Sequence, residues 1–111
     1  MSRASYVRAL LSLYTGLPQT ALRRPSTADR RLAEQLFDRG IPRTTVQAAF
    51  LLAIGRRDAR SPDLPPLPTI RSLAYFLPII EELRLYPPAP GYLDYLRLRQ
   101  KVQNPTDPGD R

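Results

Sequence analysis

A chain of 111 residues without Cys or His has room for one domain around one modest core; it excludes a disulfide framework, thiolate chemistry, the usual zinc sites and a histidine general base. Its net charge of +7 and isoelectric point near 10.5 favour a polyanionic partner, nucleic acid first. Of its 17 basic residues 16 are Arg; a GC-rich genome explains Arg over Lys, but not basic over acidic.

The opening MSRASYVRALLSLYTGL is broken by Arg8 and Tyr14 and lacks a small-x-small cleavage site, so it does not read as a signal peptide. No apolar run approaches the ~20 residues of a membrane span. The expectation is a soluble, cytoplasmic protein without membrane contact.

Ser2 is placed to cap a first helix reaching about Tyr14, with Val7, Leu10, Leu11 and Tyr14 on one face. Gly16 is expected to end it in the left-handed conformation, with Pro18 as a stop. A loop from Leu17 to Pro25 carries Arg23 and Arg24. Ser26 and Asp29 then have capping-box spacing, opening a helix that buries Leu32, Ala33, Leu36 and Phe37 and closes at Gly40.

The next helix begins at Pro42 or Thr44 and ends near Gly55, with Arg56 and Arg57 just beyond its carbonyl end. From Ala48 to Ile54 every side chain is apolar, so this rod belongs in the middle of a core. Pro62, Pro65, Pro66 and Pro68 make Arg60–Thr69 an extended surface crossing. A fourth helix is predicted over Ile70 to about Tyr86, either kinked at Pro78 or broken there into two short helices. A last helix from Gly91 to Val102 should turn Tyr92, Leu93 and Leu96 inward. The fold class is therefore all-α: about five helices around a buried central one, a single domain over 1–103, with 104–111 as a frayed tail.

Three constellations bear on function. Leu36 to Ala49, with Gly40 at the turn, Ile41 after it and Val46 five residues on, has helix-turn-helix spacing. Ordinary helix packing shares that spacing, and only Arg43, Thr44, Thr45 and Gln47 are polar enough to reach base edges before the helix turns apolar. The second is an arginine set, Arg23, Arg24, Arg30, Arg31, Arg39, Arg43, Arg56, Arg57 and Arg60, largely in loops and at helix ends. Guanidinium forks suit phosphate oxygens, while Asp29, Glu34, Asp38 and Asp58 would neutralise part of the set in a solvated rim.

The third is Ile70 to Leu85. Together with Tyr14, Gly16 and Pro18, the capped Ser26–Gly40 helix and the apolar Thr44–Ile54 helix, its Tyr75 and Ile79 make the order of features similar to the helical domain of DnaD-like replication initiation proteins. Leu83 stands where that family has Trp, and Pro78 lies inside the closing motif. The resemblance, spanning Tyr14 to Leu85, implies a helical module that binds DNA and contacts initiator or helicase proteins.

Glu81 and Glu82 point to different sides of a helix and form no metal or acid–base site; the six tyrosines have no partner base. No enzyme, cofactor or metal is expected. The expected role is a DNA-binding accessory of replication, partitioning or mobile-element maintenance. In that role Arg23, Arg24, Arg30, Arg31, Arg39, Arg56 and Arg57 hold phosphates, and Arg43, Thr44 and Gln47 sit nearest the bases. The alternative is a protein–protein adaptor, or small subunit, using the Tyr92–Tyr95 helix and the proline-rich edge.

Overall fold

The structure, a computed structural model, describes residues 2–20 and 24–103, with side chains described through residue 98. Its helices are α1 (Arg3–Thr15), α2 (Thr27–Asp38), α3 (Arg43–Asp58), α4 (Leu77–Leu85) and α5 (Tyr92–Gln103), with a 3₁₀ turn at Leu73–Phe76. Among the described residues there is no strand, only an isolated parallel bridge between Thr20 and Ile70. No helix of the described residues is long and apolar enough to cross a membrane.

The apolar stretch lies at the centre, as its composition requires. Val46, Ala48, Ala49, Phe50, Leu52, Ala53 and Ile54 are buried, and Leu51 is half-buried. α3 packs against α1, the 3₁₀ turn, α4 and α5. Phe50 meets Phe76 edge to face at 4.7 Å, and Tyr14 closes the aromatic cluster at 6.4 Å from Phe50 and 6.2 Å from Phe76. The Tyr14 hydroxyl is fully buried and has no hydrogen-bond partner among the described residues; burial, with the charge of Asp29 added, pushes its phenol up to about 12.

α1 and α2 run antiparallel. Arg3 at the start of α1 donates to Asp38 at the end of α2 at 3.1 and 2.9 Å, and Tyr6 packs edge-on against Phe37 at 5.2 Å. The Tyr6 hydroxyl donates to the Ile41 carbonyl at 2.8 Å, tying the α2–α3 connection to α1. Gly40 takes φ +74° there, a left-handed turn that only a residue without Cβ adopts freely.

Several expectations need correcting. Gly16 ends α1 at φ −87°, in the right-handed region, and among the described residues of that connection it is Gln19 that is left-handed, at φ 68°. α3 runs on to Asp58, so Gly55, Arg56 and Arg57 belong to the helix. Gly55 is tolerated inside it because α5 approaches here: a Cβ at this position would lie 3.0 Å from the Leu96 side chain. Ile70 is not helical, and Pro78 resolves as a break, standing at the second residue of α4 where its missing N–H costs nothing. Tyr92 turns outward, 40% exposed, while Leu96 is buried and Leu93 half-buried. The expected tail over 104–111 lies outside the described residues.

The capping box is complete. Asp29 N–H donates to the Ser26 hydroxyl and Ser26 N–H to the Asp29 carboxylate, both at 3.0 Å. The second carboxylate oxygen accepts from Leu73 N–H at 2.9 Å, and Asp29 is 1% exposed. One side chain thus caps α2 and anchors the 3₁₀ turn against it. Asp is shorter than the Glu or Gln usual at this position, and its reach leaves the carboxylate where it serves both elements.

Candidate nucleic-acid interface

Arginine is the chemistry this chain has in surplus, so the first question is which guanidiniums the fold already uses. Arg3 is taken by Asp38. Arg39 binds Glu81 at 2.6 Å, Arg84 binds the same carboxylate at 3.1 Å, and Arg56 holds Glu82 with both terminal nitrogens. These partners keep the Glu81 and Glu82 carboxyls below the ordinary carboxylate range, hydrogen bonding being the main cause. Arg57 donates to Gln19 at 2.6 Å, to the Pro68 carbonyl at 2.6 Å and to the Tyr75 hydroxyl at 3.1 Å, with its guanidinium 5.6 Å from the Tyr75 ring centre. Arg60 donates to the Pro65 carbonyl at 3.0 Å, and Arg97 pairs with Asp94. Arg57 and Arg60 therefore fasten the proline-rich crossing to the end of α3.

The linked carboxylates define a pH response. Their folded-state pKa values lie below the unfolded ones, so their contribution is present above the unfolded value of about 4.5 and is lost as pH falls through the lower folded values. Both pairs are exposed to solvent, so the effect is modest. In thermal melts, E81Q/E82Q is expected to lose less Tm than the parent chain between neutral and acid pH.

Arg8, Arg24, Arg30, Arg31, Arg43 and Arg71 remain, all exposed, with no hydrogen bond or ion pair among the described residues. They are not scattered. Arg24 stands two residues before the Ser26 cap, and Arg30 and Arg31 are in the first turns of α2. Arg71 lies between Ile70, whose N–H donates to the Gln19 carbonyl at 2.7 Å, and Leu73, which is tied to Asp29. Arg8 shares with Arg30 a cleft of about 500 Å³ between α1 and α2. Five of the six thus gather around the beginning of α2, and Arg43 stands apart at the start of α3.

The structure sorts the expected contact residues accordingly. Arg24, Arg30 and Arg31 fall in the cluster, while Arg39, Arg56 and Arg57 are engaged internally. Arg43 and Thr44 are exposed in the first turn of α3, and Gln47 is half-buried. Arg23 lies outside the described residues. The spacing did bury Ile41 and Val46, but they seat α3 in the common core: α2 packs on α1 and the 3₁₀ turn and scarcely touches α3 directly. Beyond its first turns α3 offers a groove little, because α4 and α5 cover it.

Arg8 and Arg71 were absent from the residues picked out in the sequence. The helical period places Arg8 on the outer face of α1, yet nothing local says that Arg30 faces it. Arg71 ends a proline-rich crossing whose path is set by Thr20 and Asp29, both more than forty positions away. No family model, curated protein or solved structure matches the chain.

Proposed function

We propose that this protein is a non-enzymatic DNA-binding accessory whose phosphate grip lies around the beginning of α2. The observation that carries the reading is the grouping of unpaired arginines: Arg24, Arg30, Arg31 and Arg71, with Arg8 beside them, keep their charge free while Arg39, Arg56 and Arg84 are held by Glu81 and Glu82. Arg43 and Thr44, exposed at the start of α3, are the residues nearest a base edge in this reading. The DnaD-like order of features supports a setting in replication, partitioning or mobile-element maintenance, with replication proteins as further partners, in the cytoplasm.

Fluorescence anisotropy with random duplex and single-stranded DNA at low and moderate salt tests it. Replacing Arg24, Arg30, Arg31 and Arg71 together by Gln is expected to weaken binding by roughly a hundredfold and to flatten the duplex salt slope by about 3–4, near 0.9 for each lost phosphate contact. Arg39→Gln, which breaks only an internal pair, should change affinity less than about threefold. Absence of binding at low salt, or a slope unmoved by the fourfold change, overturns the reading.

One observation favours the second reading, a protein adaptor. Leu85, Tyr86 and Leu98 are 71%, 75% and 64% exposed, and Tyr92 and Tyr95 stack at 6.3 Å on the outer side of α5. That reading predicts no salt-dependent DNA binding in the same titration.

A further inference from the structure

Among the described residues, the cleft between α1 and α2 has guanidiniums left over, and the two clefts at the end of α3 do not. Arg57 and Arg60 line both clefts at the end of α3, joined in one of them by Arg56; all three are bound to Gln19, Tyr75, Glu82 or main-chain carbonyls. The α1–α2 cleft, of about 500 Å³, has Ala4, Val7, Leu11 and Pro25 as its apolar lining. Its charged rim is Arg3, Arg8, Arg30 and Glu34.

The antiparallel register divides that rim. Arg3 is held by Asp38 and lies 4.0 Å from Glu34, so at this end one guanidinium faces two carboxylates and has no charge to spare. Arg8 is five residues further along α1 than Arg3, and Arg30 is four residues back along α2 from Glu34, displacements of roughly 6–8 Å at 1.5 Å per residue. The second end therefore sets two cations beside one apolar slot, with no carboxylate bound to either among the described residues. Two like charges sharing a partly apolar cleft repel unless an anion joins them. An anion with an apolar body satisfies both halves of the surface: head between Arg8 and Arg30, body along Val7 and Leu11. The volume suits such a ligand, falling within the usual 300–1,000 Å³ or so of small-molecule sites.

We infer that the α1–α2 cleft binds a small amphiphilic anion, a carboxylate or phosphate monoester on an apolar body, between Arg8 and Arg30. Because Arg30 belongs to the arginine cluster, the bound anion competes with DNA phosphate, which makes the cleft an effector site. That consequence rests on the DNA reading; binding in the cleft does not.

Octanoate below its micelle concentration is the probe, followed by calorimetry and by the amide NMR shifts of Ala4, Val7, Arg8, Leu11 and Arg30 on the whole chain. Octanoate is expected to bind at least tenfold more tightly than acetate, which lacks the body, or octanol, which lacks the charge. R8Q/R30Q should remove at least tenfold in affinity. Ala4→Phe, an exposed position on the cleft wall, should block the body while leaving the melting temperature in place. Equal binding of acetate reduces the site to a general anion patch, and equal binding of octanol reduces it to an apolar surface. Either result, shifts elsewhere, or an unchanged R8Q/R30Q affinity overturns the inference. Adding octanoate to the DNA titration reads the second step separately. Displacement supports the effector role, and undisturbed DNA binding beside a filled cleft refutes it. A filled cleft in a chain that never binds DNA refutes the DNA reading alone.

Discussion

Asp29→Ala is expected to lower the unfolding free energy by about 2–4 kcal/mol, although the residue looks like an ordinary helix cap. Its carboxylate accepts from Ser26 N–H at 3.0 Å and from Leu73 N–H at 2.9 Å, and it is 1% exposed. Alanine strands the buried Leu73 donor, at a cost of about 1–3 kcal/mol, and removes the cap on the part-buried Ser26 donor, at about 1 kcal/mol, while relief of the carboxylate's own desolvation offsets part of that. Asn retains an acceptor oxygen, so Asp29→Asn should cost about half as much. Urea unfolding measures the loss, and hydrogen exchange at the Leu73 amide locates it. A change under about 0.5 kcal/mol with Leu73 protection intact would show that the carboxylate does not join α2 to the 3₁₀ turn.

Phe50→Ala is the second large effect, expected at about 3–5 kcal/mol. That is a substantial share of the roughly 5–15 kcal/mol of a typical domain. The ring is 1% exposed between Phe76 at 4.7 Å and Tyr14 at 6.4 Å, so truncation leaves a cavity walled by rigid aromatics that cannot close over it. Its neighbour Leu51 is half-buried, and Leu51→Ala should cost clearly less. Paired denaturant melts compare the two adjacent positions. Equal losses would contradict a central helix whose one thinly covered line runs through Leu51.

Legibility differed by element and for physical reasons. The capped start of α2 and the turn at Gly40 were readable because caps and positive-φ turns are decided within a few residues of chain. The end of α3 was misjudged at Gly55. A glycine normally weakens a helix interior, but Leu96, forty-one positions later, packs onto its bare backbone. Tyr92 was turned the wrong way by a period without an anchor: the apolar positions of α5 spread over more than half of the helix, and contact with α3 selects Leu96 as the inward one. The proline break at Pro78 was one of two open outcomes, and the 3₁₀ turn held by Asp29 is what selected it.

The arginine site shows the same division. That the chain carries a surplus of seven positive charges, and that its apolar heptapeptide must lie inside, follow from composition and periodicity alone, since charge and hydrophobic burial need no knowledge of neighbours. Which guanidiniums stay free is a property of pairs: Arg39 finds Glu81 forty-two residues away and Arg56 finds Glu82 twenty-six away, while Arg30 meets Arg8 across a cleft. Coulomb attraction acts through space rather than along the chain. Only the packing of α1 on α2 and of α4 on α3 could decide where the surplus gathers.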